Sequence, residues 1–215
     1  MKKITSVLAV ALTSVAIAGV ANATQGGYIG GGLGYGSVLT PNGSFLSTAG
    51  STASSNSNTT GGLGGRIFAG YNFNKYIGAE LGWTDFTKST SNASVTTIGG
   101  TTSSHRTAQM NEVDLVAKGY IPIRCTGFSV YALGGIAQVN ETNRIYTTPG
   151  ASTDGTYTVH KFRPKYGIGA SYDVNTQVTT AFELTRVQGN GNLNNSIQAI
   201  PSANMGMLTV AYNFG

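Results

Sequence analysis

The stretch "KFRPKYGIGASYD", residues 161–173, separates into two sets at alternate positions. Phe162, Pro164, Tyr166, Ile168, Ala170 and Tyr172 form an apolar, aromatic set. Lys161, Arg163, Lys165, Gly167, Gly169, Ser171 and Asp173 form a charged or small set. Successive side chains of a β-strand point to opposite faces, so this strand has one greasy face and one face with three positive charges.

The same period of two recurs on both sides of it. Ile29, Leu33 and Tyr35 alternate with Tyr28, Gly30, Gly32 and Gly34, and Ile67, Ala69, Tyr71 and Phe73 with Arg66, Phe68, Gly70 and Asn72. Ile77, Ala79, Leu81 and Trp83 alternate with Gly78, Glu80 and Gly82. Leu115, Ala117 and Ile121 alternate with Asp114, Val116, Lys118 and Tyr120. Tyr131 and Leu133 are assigned to the apolar face against Ala132 and Gly134. Val178, Phe182 and Leu184 face away from Thr179, Ala181 and Glu183, and Leu208, Val210, Tyr212 and Phe214 from Met207, Thr209, Ala211 and Asn213. With residues 161–173 this makes eight candidate strands.

The connections alternate too. Turns of hairpin scale lie at Asn74-Lys75, at Arg124 to Gly127 and at Asn175-Thr176. The other links, 39–62, 87–108, 141–160 and 190–203, are long and rich in Ser, Thr, Asn and Gly. Short turns at one end and long loops at the other predict an eight-stranded antiparallel up-and-down transmembrane β-barrel. A soluble sandwich would also show period-two strands, but it would not place aromatics at two levels on the greasy face. Tyr71, Tyr172, Tyr212 and Phe214 fall near the lower rim, together with Phe73 and Tyr131, and Tyr35, Trp83, Phe162 and Tyr166 near the upper. Two such levels around a band of Leu, Ile, Val and Ala are the girdle of a membrane barrel.

Composition agrees. Charged residues are 10% of the 215, under half of the roughly 25% of a soluble domain, and Gly numbers 31. That excludes a cytosolic enzyme and a coiled coil, and 40% hydrophobic residues exclude a disordered chain. Residues 1–23 read as a signal peptide, with Lys2-Lys3, the apolar stretch Ile4 to Val20 and the cleavage signature Ala21-Asn22-Ala23. Residues 24–215 are then the outer-membrane barrel domain. Without Lys2 and Lys3 the 13 basic residues become 11 against 8 acidic, a charge of only +3. No basic cluster accompanies it, so no nucleic-acid partner is expected. Cys125 stands alone and cannot form an internal disulfide.

Eight strands enclose a lumen just wide enough for side chains to fill. Inward glycines, Gly30, Gly70, Gly82, Gly134 and Gly169 among them, make room for larger inward neighbours. The inward charges are Arg66, Lys118, Arg163 and Lys165 against Glu80, Glu112, Asp114 and Glu183. Opposite charges confined there are expected to pair, because an unpaired buried charge is costly.

Four segments carry a family resemblance: "IFAGYNFNKYIGAELGWTDF" (67–86), "VDLVAKGYIPI" (113–123), "YGIGASYDVNTQVTTAFEL" (166–184) and "GMLTVAYNFG" (206–215). They resemble the transmembrane domain of the OmpA-like family, and the terminal Tyr212-x-Phe214 is similar to the assembly signal of outer-membrane barrels. The resemblance implies a mid-lumen ion-pair network that divides the interior and can act as a gate, with Glu80 and Lys118 as its central acid and base. The family's second Arg and Glu fall on Ala181 and Ser171, so the network must be rewired through Arg66 or Glu183. The resemblance also implies a barrel-only relative of the opacity-type surface proteins, without a peptidoglycan-binding domain.

The expected role is that of a structural and surface-interaction, adhesin-like protein of a Gram-negative outer membrane, with long extracellular loops and a charge-plugged lumen. Its expected partners are outer-membrane lipid and lipopolysaccharide, together with host or surface ligands met by the four loops. A small low-conductance pore is the alternative. A lipid A-modifying enzyme ranks third, because its nucleophile would need a base and the only histidines, His105 and His160, have no acid nearby in sequence. Neither a cofactor nor a metal is expected. Arg186 falls on the lipid-facing parity near the outer rim, where lipopolysaccharide phosphates lie.

Overall fold

The structure, a computed structural model, describes residues 25–39, 53–59, 61–86, 88–97, 100–148, 155–189, 200 and 202–214. The expected signal peptide, 1–23, lies outside them, as do 190–199 of the fourth expected loop. Among the described residues ten strands form one sheet: β1 (Gly26–Leu39), β2 (Ala53–Thr59), β3 (Gly61–Asn72), β4 (Ile77–Asp85), β5 (Ser89–Thr97), β6 (Gly100–Pro122), β7 (Phe128–Thr148), β8 (Gly155–Asp173), β9 (Val178–Val187) and β10 (Ser202–Asn213). Neighbours run in the order β2-β5-β6-β4-β3-β1-β10-β9-β8-β7, and β7 pairs back onto β6. That last pairing closes an eight-stranded antiparallel barrel, with β2 and β5 attached outside the ring. The seam between first and last strands runs from Tyr28 opposite Asn213 to Leu39 opposite Ser202.

Two of the short turns share one device. Asn74 Oδ1 accepts from the backbone N–H of Tyr76 and Ile77 at 2.8 and 3.0 Å. Asn175 Oδ1 does the same for Gln177 and Val178 at 2.8 and 2.7 Å. Each asparagine thus replaces the backbone acceptor a tight turn lacks. The third turn passes through Cys125 at φ 61° and Gly127 at φ 73°, and the Thr126 hydroxyl steadies it by donating to the Ile123 carbonyl at 2.8 Å.

The described residues of the expected loops 87–108 and 141–160 are largely strand, and within 39–62 residues 53–59 are strand too. β6, β7 and β8 run for 23, 21 and 19 residues, about twice the 9–11 a barrel strand needs to cross a bilayer. The ladder shifts register on one side between the pairs Asp85–Asn111 and Ser89–Ala108, as at a bulge. Beyond it β4 gives way to β5, which pairs with β2. These extensions lack the greasy alternation because both of their faces lie beyond the lipid, and their pairing rests on ladder hydrogen bonds and Thr-rich strand propensity.

Outward positions show where the apolar band ends. Along β6 they read Ile121, Gly119, Ala117, Leu115 and Val113, then turn polar at Asn111, Gln109 and Thr107. Along β7 the change falls between Ile136 and Gln138, and along β8 between Phe162 and His160. Ten steps from Ile123 to Val113 rise about 34 Å along the strand. At a tilt of about 40° that is about 26 Å of membrane normal, the height of an outer-membrane apolar band. The molecule is inside-out relative to a soluble domain: Leu33, Ile67 and Leu208 are 59, 62 and 69% exposed, while Lys165 and Glu80 are 2 and 1% exposed.

One strand departs from the expected parity. Tyr131 and Leu133 of β7 are buried in the lumen, and Ala132 and Gly134 face out. Tyr131 therefore does not belong to the lower girdle, and Gly134 makes no room in the lumen. The short run offered apolar residues on both parities, and the larger pair went inward because Gly169 leaves space: a Cβ there would meet the Tyr131 ring at 2.3 Å. A Cβ on Gly135, the inward neighbour, would lie 2.0 Å from the Leu115 carbonyl oxygen, whereas one on Gly134 would meet nothing within 4 Å. Urea unfolding in detergent micelles should show Gly135→Ala losing about 3 kcal/mol from forced overpacking. Gly134→Ala should stay within about 0.5 kcal/mol of wild type. Equal losses would mean that this assignment of faces is wrong.

Candidate functional site

The inward residues of the wall build the site. Glu80 of β4 accepts from Arg66 of β3 at 2.9 Å and from Lys118 of β6 at 2.7 Å, and the Tyr28 hydroxyl donates to it at 3.1 Å. Lys118 also reaches Glu183 of β9 at 3.2 Å, and Tyr131 donates to the same carboxylate at 3.0 Å. The same Arg66 nitrogen, Nη2, also donates to Asp114 at 2.7 Å. Lys165 of β8 then joins Asp114 at 2.9 Å to Glu112 at 2.5 Å. The result is one continuous chain of alternating sign, Glu183–Lys118–Glu80–Arg66–Asp114–Lys165–Glu112. All seven members are buried. Its links do not follow the wall: β6 and β9 are separated by two strands on the shorter way round, so Lys118–Glu183 crosses the interior.

The wall is cut to receive these groups. A Cβ at Gly82 would sit 2.4 Å from Arg66 Nη2, and one at Gly70 would sit 2.3 Å from the Tyr28 ring. The Lys118 ammonium lies 5.1 Å from the Tyr131 ring centre and 5.6 Å from that of Phe68. On the side toward the short turns, Tyr28, Glu80, Lys118, Tyr120 and Tyr131 border a cavity of about 60 Å³. That holds roughly four waters at ~15 Å³ of occupied space each.

Toward the long hairpins the lumen changes character. Val38, Phe86, Met110, Ala137, Val139, Val187, Ile200, Ala203, Met205 and Met207 pack into one buried apolar cluster. Glycines again supply the space, since a Cβ at Gly64 would meet Met205 Cε at 2.7 Å and one at Gly36 would meet Phe86 at 3.2 Å. Nothing in the alternation pointed to this layer, because its members are spread over five strands, at most three to a strand, on the otherwise polar parity.

Of the inward charges singled out from the sequence, Arg163 stands apart. It lies opposite Ala137, at the level of the apolar layer, is half-buried, and its Nε is enclosed without a partner. The eight girdle residues all face outward: Tyr35, Trp83, Phe162 and Tyr166 toward the hairpins, Tyr71, Tyr172, Tyr212 and Phe214 toward the turns. The lower level adds Phe73, Tyr76 and Phe128, with Phe128 and Tyr172 rings 4.5 Å apart. His105 and His160 lie on exposed strand extensions rather than in loops. Each Nδ1 pairs with the asparagine directly across the ladder, Asn92 and Asn140.

The sequence model of the outer membrane protein beta-barrel domain matches residues 5–214. The chain belongs to that family. As an outer membrane β-barrel it is located in the cell outer membrane. It is 26% identical over 214 residues to an uncharacterized protein of Coxiella burnetii, covering 88% of this chain and 85% of that one. Among solved structures, Neisserial surface protein A is similar at 12% identity with a TM-score of 0.57, covering 87% of this chain and 97% of that one. The N-terminal β-barrel domain of Pseudomonas aeruginosa OprF follows at 14% and 0.52, with coverage of 88 and 98%. Ail, the attachment invasion locus protein of Yersinia pestis, gives 11% and 0.51, with 89 and 100%. At these identities the likeness is one of fold.

Proposed function

We propose that this barrel is a surface-interaction protein whose lumen is closed and whose ligand contacts are made by the strand extensions that rise from its outer rim. The observation carrying this reading is the length of β6, β7 and β8, which continue roughly ten residues past the lipid band with polar outward faces such as Thr101, Ser103, Thr142 and Thr158. Paired strands hold those side chains at fixed spacing, a better recognition surface than a free loop of the same composition. One protein that shares the fold is by name an attachment invasion locus protein, which is compatible with an adhesive role here. A closed lumen is supported by the two stacked layers, the ion-pair chain and the apolar cluster above it.

The test is attachment. Intact cells of a non-adherent laboratory strain expressing the full chain should bind epithelial cells or matrix proteins, and shortening the β5–β6 hairpin by deleting 91–105 should abolish binding. The shortened barrel should still migrate faster unheated than heated on SDS gels. Protease added to whole cells should cut in the hairpin tips and spare Asn74 and Asn175. Equal attachment by the shortened barrel sinks the adhesive reading, and cleavage at Asn74 or Asn175 inverts the topology.

A further inference from the structure

On the lipid-facing side of β1, β8, β9 and β10, two rows of outward residues lie one above the other at the outer rim. Ladder pairing aligns the upper row as Tyr166, Arg186, Asn204 and Ser37, and the lower row as Ile168, Leu184, Gly206 and Tyr35. The upper row is cationic and hydrogen-bonding, and the lower is apolar with a gap where Gly206 has no side chain. Together they border a groove of about 440 Å³. A Cβ on Gly206 would come within 3.1 Å of Leu184 Cδ2, so any larger residue would occupy the groove. Arg186 is half-buried over it, with its Nε enclosed and unpartnered. The Tyr166 hydroxyl is tied to Gln188 at 3.1 Å, which fixes one wall.

We propose that this groove is a specific lipid A site, in which one acyl chain lies in the gap over Gly206 and a phosphate sits on Arg186. Charge complementarity points there: a guanidinium short of an acceptor, at the membrane interface, matches a phosphate in both charge and fork geometry. The neighbouring Asn204 amide and the Ser37 and Tyr166 hydroxyls suit the hydroxyls and amides of a glucosamine headgroup. A phosphatidylglycerol headgroup offers them two hydroxyls and no amide. The rim is also the right one, because the polar hairpins rise from it and lipid A forms the outer leaflet.

Native mass spectrometry of the full protein, extracted in detergent and stripped of lipid by exchange, gives the test. The probes are diphosphoryl lipid A, fully dephosphorylated lipid A and phosphatidylglycerol. Wild type should retain one diphosphoryl lipid A. Arg186→Gln should weaken it about tenfold or more, the scale of a hydrogen bond to a charged group. Dephosphorylated lipid A should bind wild type and Arg186→Gln alike, and Gly206→Leu should weaken both forms. Lys88→Gln, which removes an exposed cation beyond β4, should change nothing. Faster migration of unheated samples confirms that each variant is folded. The proposal is overturned if Arg186→Gln binds diphosphoryl lipid A like wild type, if Lys88→Gln loses as much, or if phosphatidylglycerol binds as tightly as lipid A.

Discussion

Glu80→Ala should remove roughly 3–5 kcal/mol from the unfolding free energy of the barrel, the usual cost of breaking a buried ion pair from one side. Glu80 holds Arg66 and Lys118 at 2.9 and 2.7 Å and accepts from Tyr28. Without it, Lys118 keeps only the longer 3.2 Å contact to Glu183, and Arg66 keeps only Asp114. Arg66 already has Nε and Nη1 buried without partners, so it has little capacity to absorb the loss. The measurement is reversible urea unfolding in micelles, followed by the mobility difference between heated and unheated samples. Lys118→Met combined with Glu80→Met should recover part of the loss, since no ammonium is then left without its carboxylate, while Glu183 keeps only the Tyr131 hydroxyl. A Glu80→Ala barrel as stable as wild type would show that the chain of charges contributes little to holding the wall together.

Planar-bilayer recordings should separate the two layers of the lumen. Glu80→Ala with Lys118→Ala should stay silent, while Met205→Ala with Met207→Ala should pass current in single-channel steps. The resemblance to the OmpA-like family implies that the ion pairs can act as a gate. In this lumen, however, Phe86, Met110, Val139, Val187 and the two methionines pack into an apolar layer nearer the outer rim. A dry apolar constriction excludes ions by keeping water out, and it does so whether or not the charges below are paired. Met205 and Met207 are 2 and 1% exposed, so truncating both opens a void in the centre of that constriction, at a cost of about 2–5 kcal/mol each. Variants are compared only after the gel shift shows a folded barrel. Current through the charge double variant would make the ion pairs the seal, and silence of the methionine variant would place the barrier elsewhere.

The path from sequence to site was uneven. The eight staves and the facing of seven of them were legible because lipid on one side and a packed lumen on the other impose strict alternation. The eighth, β7, was not, since Tyr131-Ala132-Leu133-Gly134 satisfies either parity by polarity alone. Size decided it, through the space left by Gly169 on a strand 38 residues later. The outer halves of β6, β7 and β8 carry no alternation to read, because water or polar neighbours lie on both faces and only the partner strand makes them strands.

The same distinction runs through the lumen. Opposite charges on the inward parity could be picked out one by one, but which acid meets which base depends on the stagger of the closed ring. Closure sets Lys165 of β8 between Asp114 and Glu112 of β6 and leaves Arg163, two residues away, opposite Ala137 among apolar side chains. By itself the sequence determined a membrane barrel, its eight staves and the facing of seven of them, because those follow from local periodicity against two solvents. Only the tertiary structure decided the order of the ion-pair chain, the apolar layer above it and the groove under Arg186. Each of these is assembled from strands far apart in the chain, and becomes a physical object only when the last strand pairs with the first.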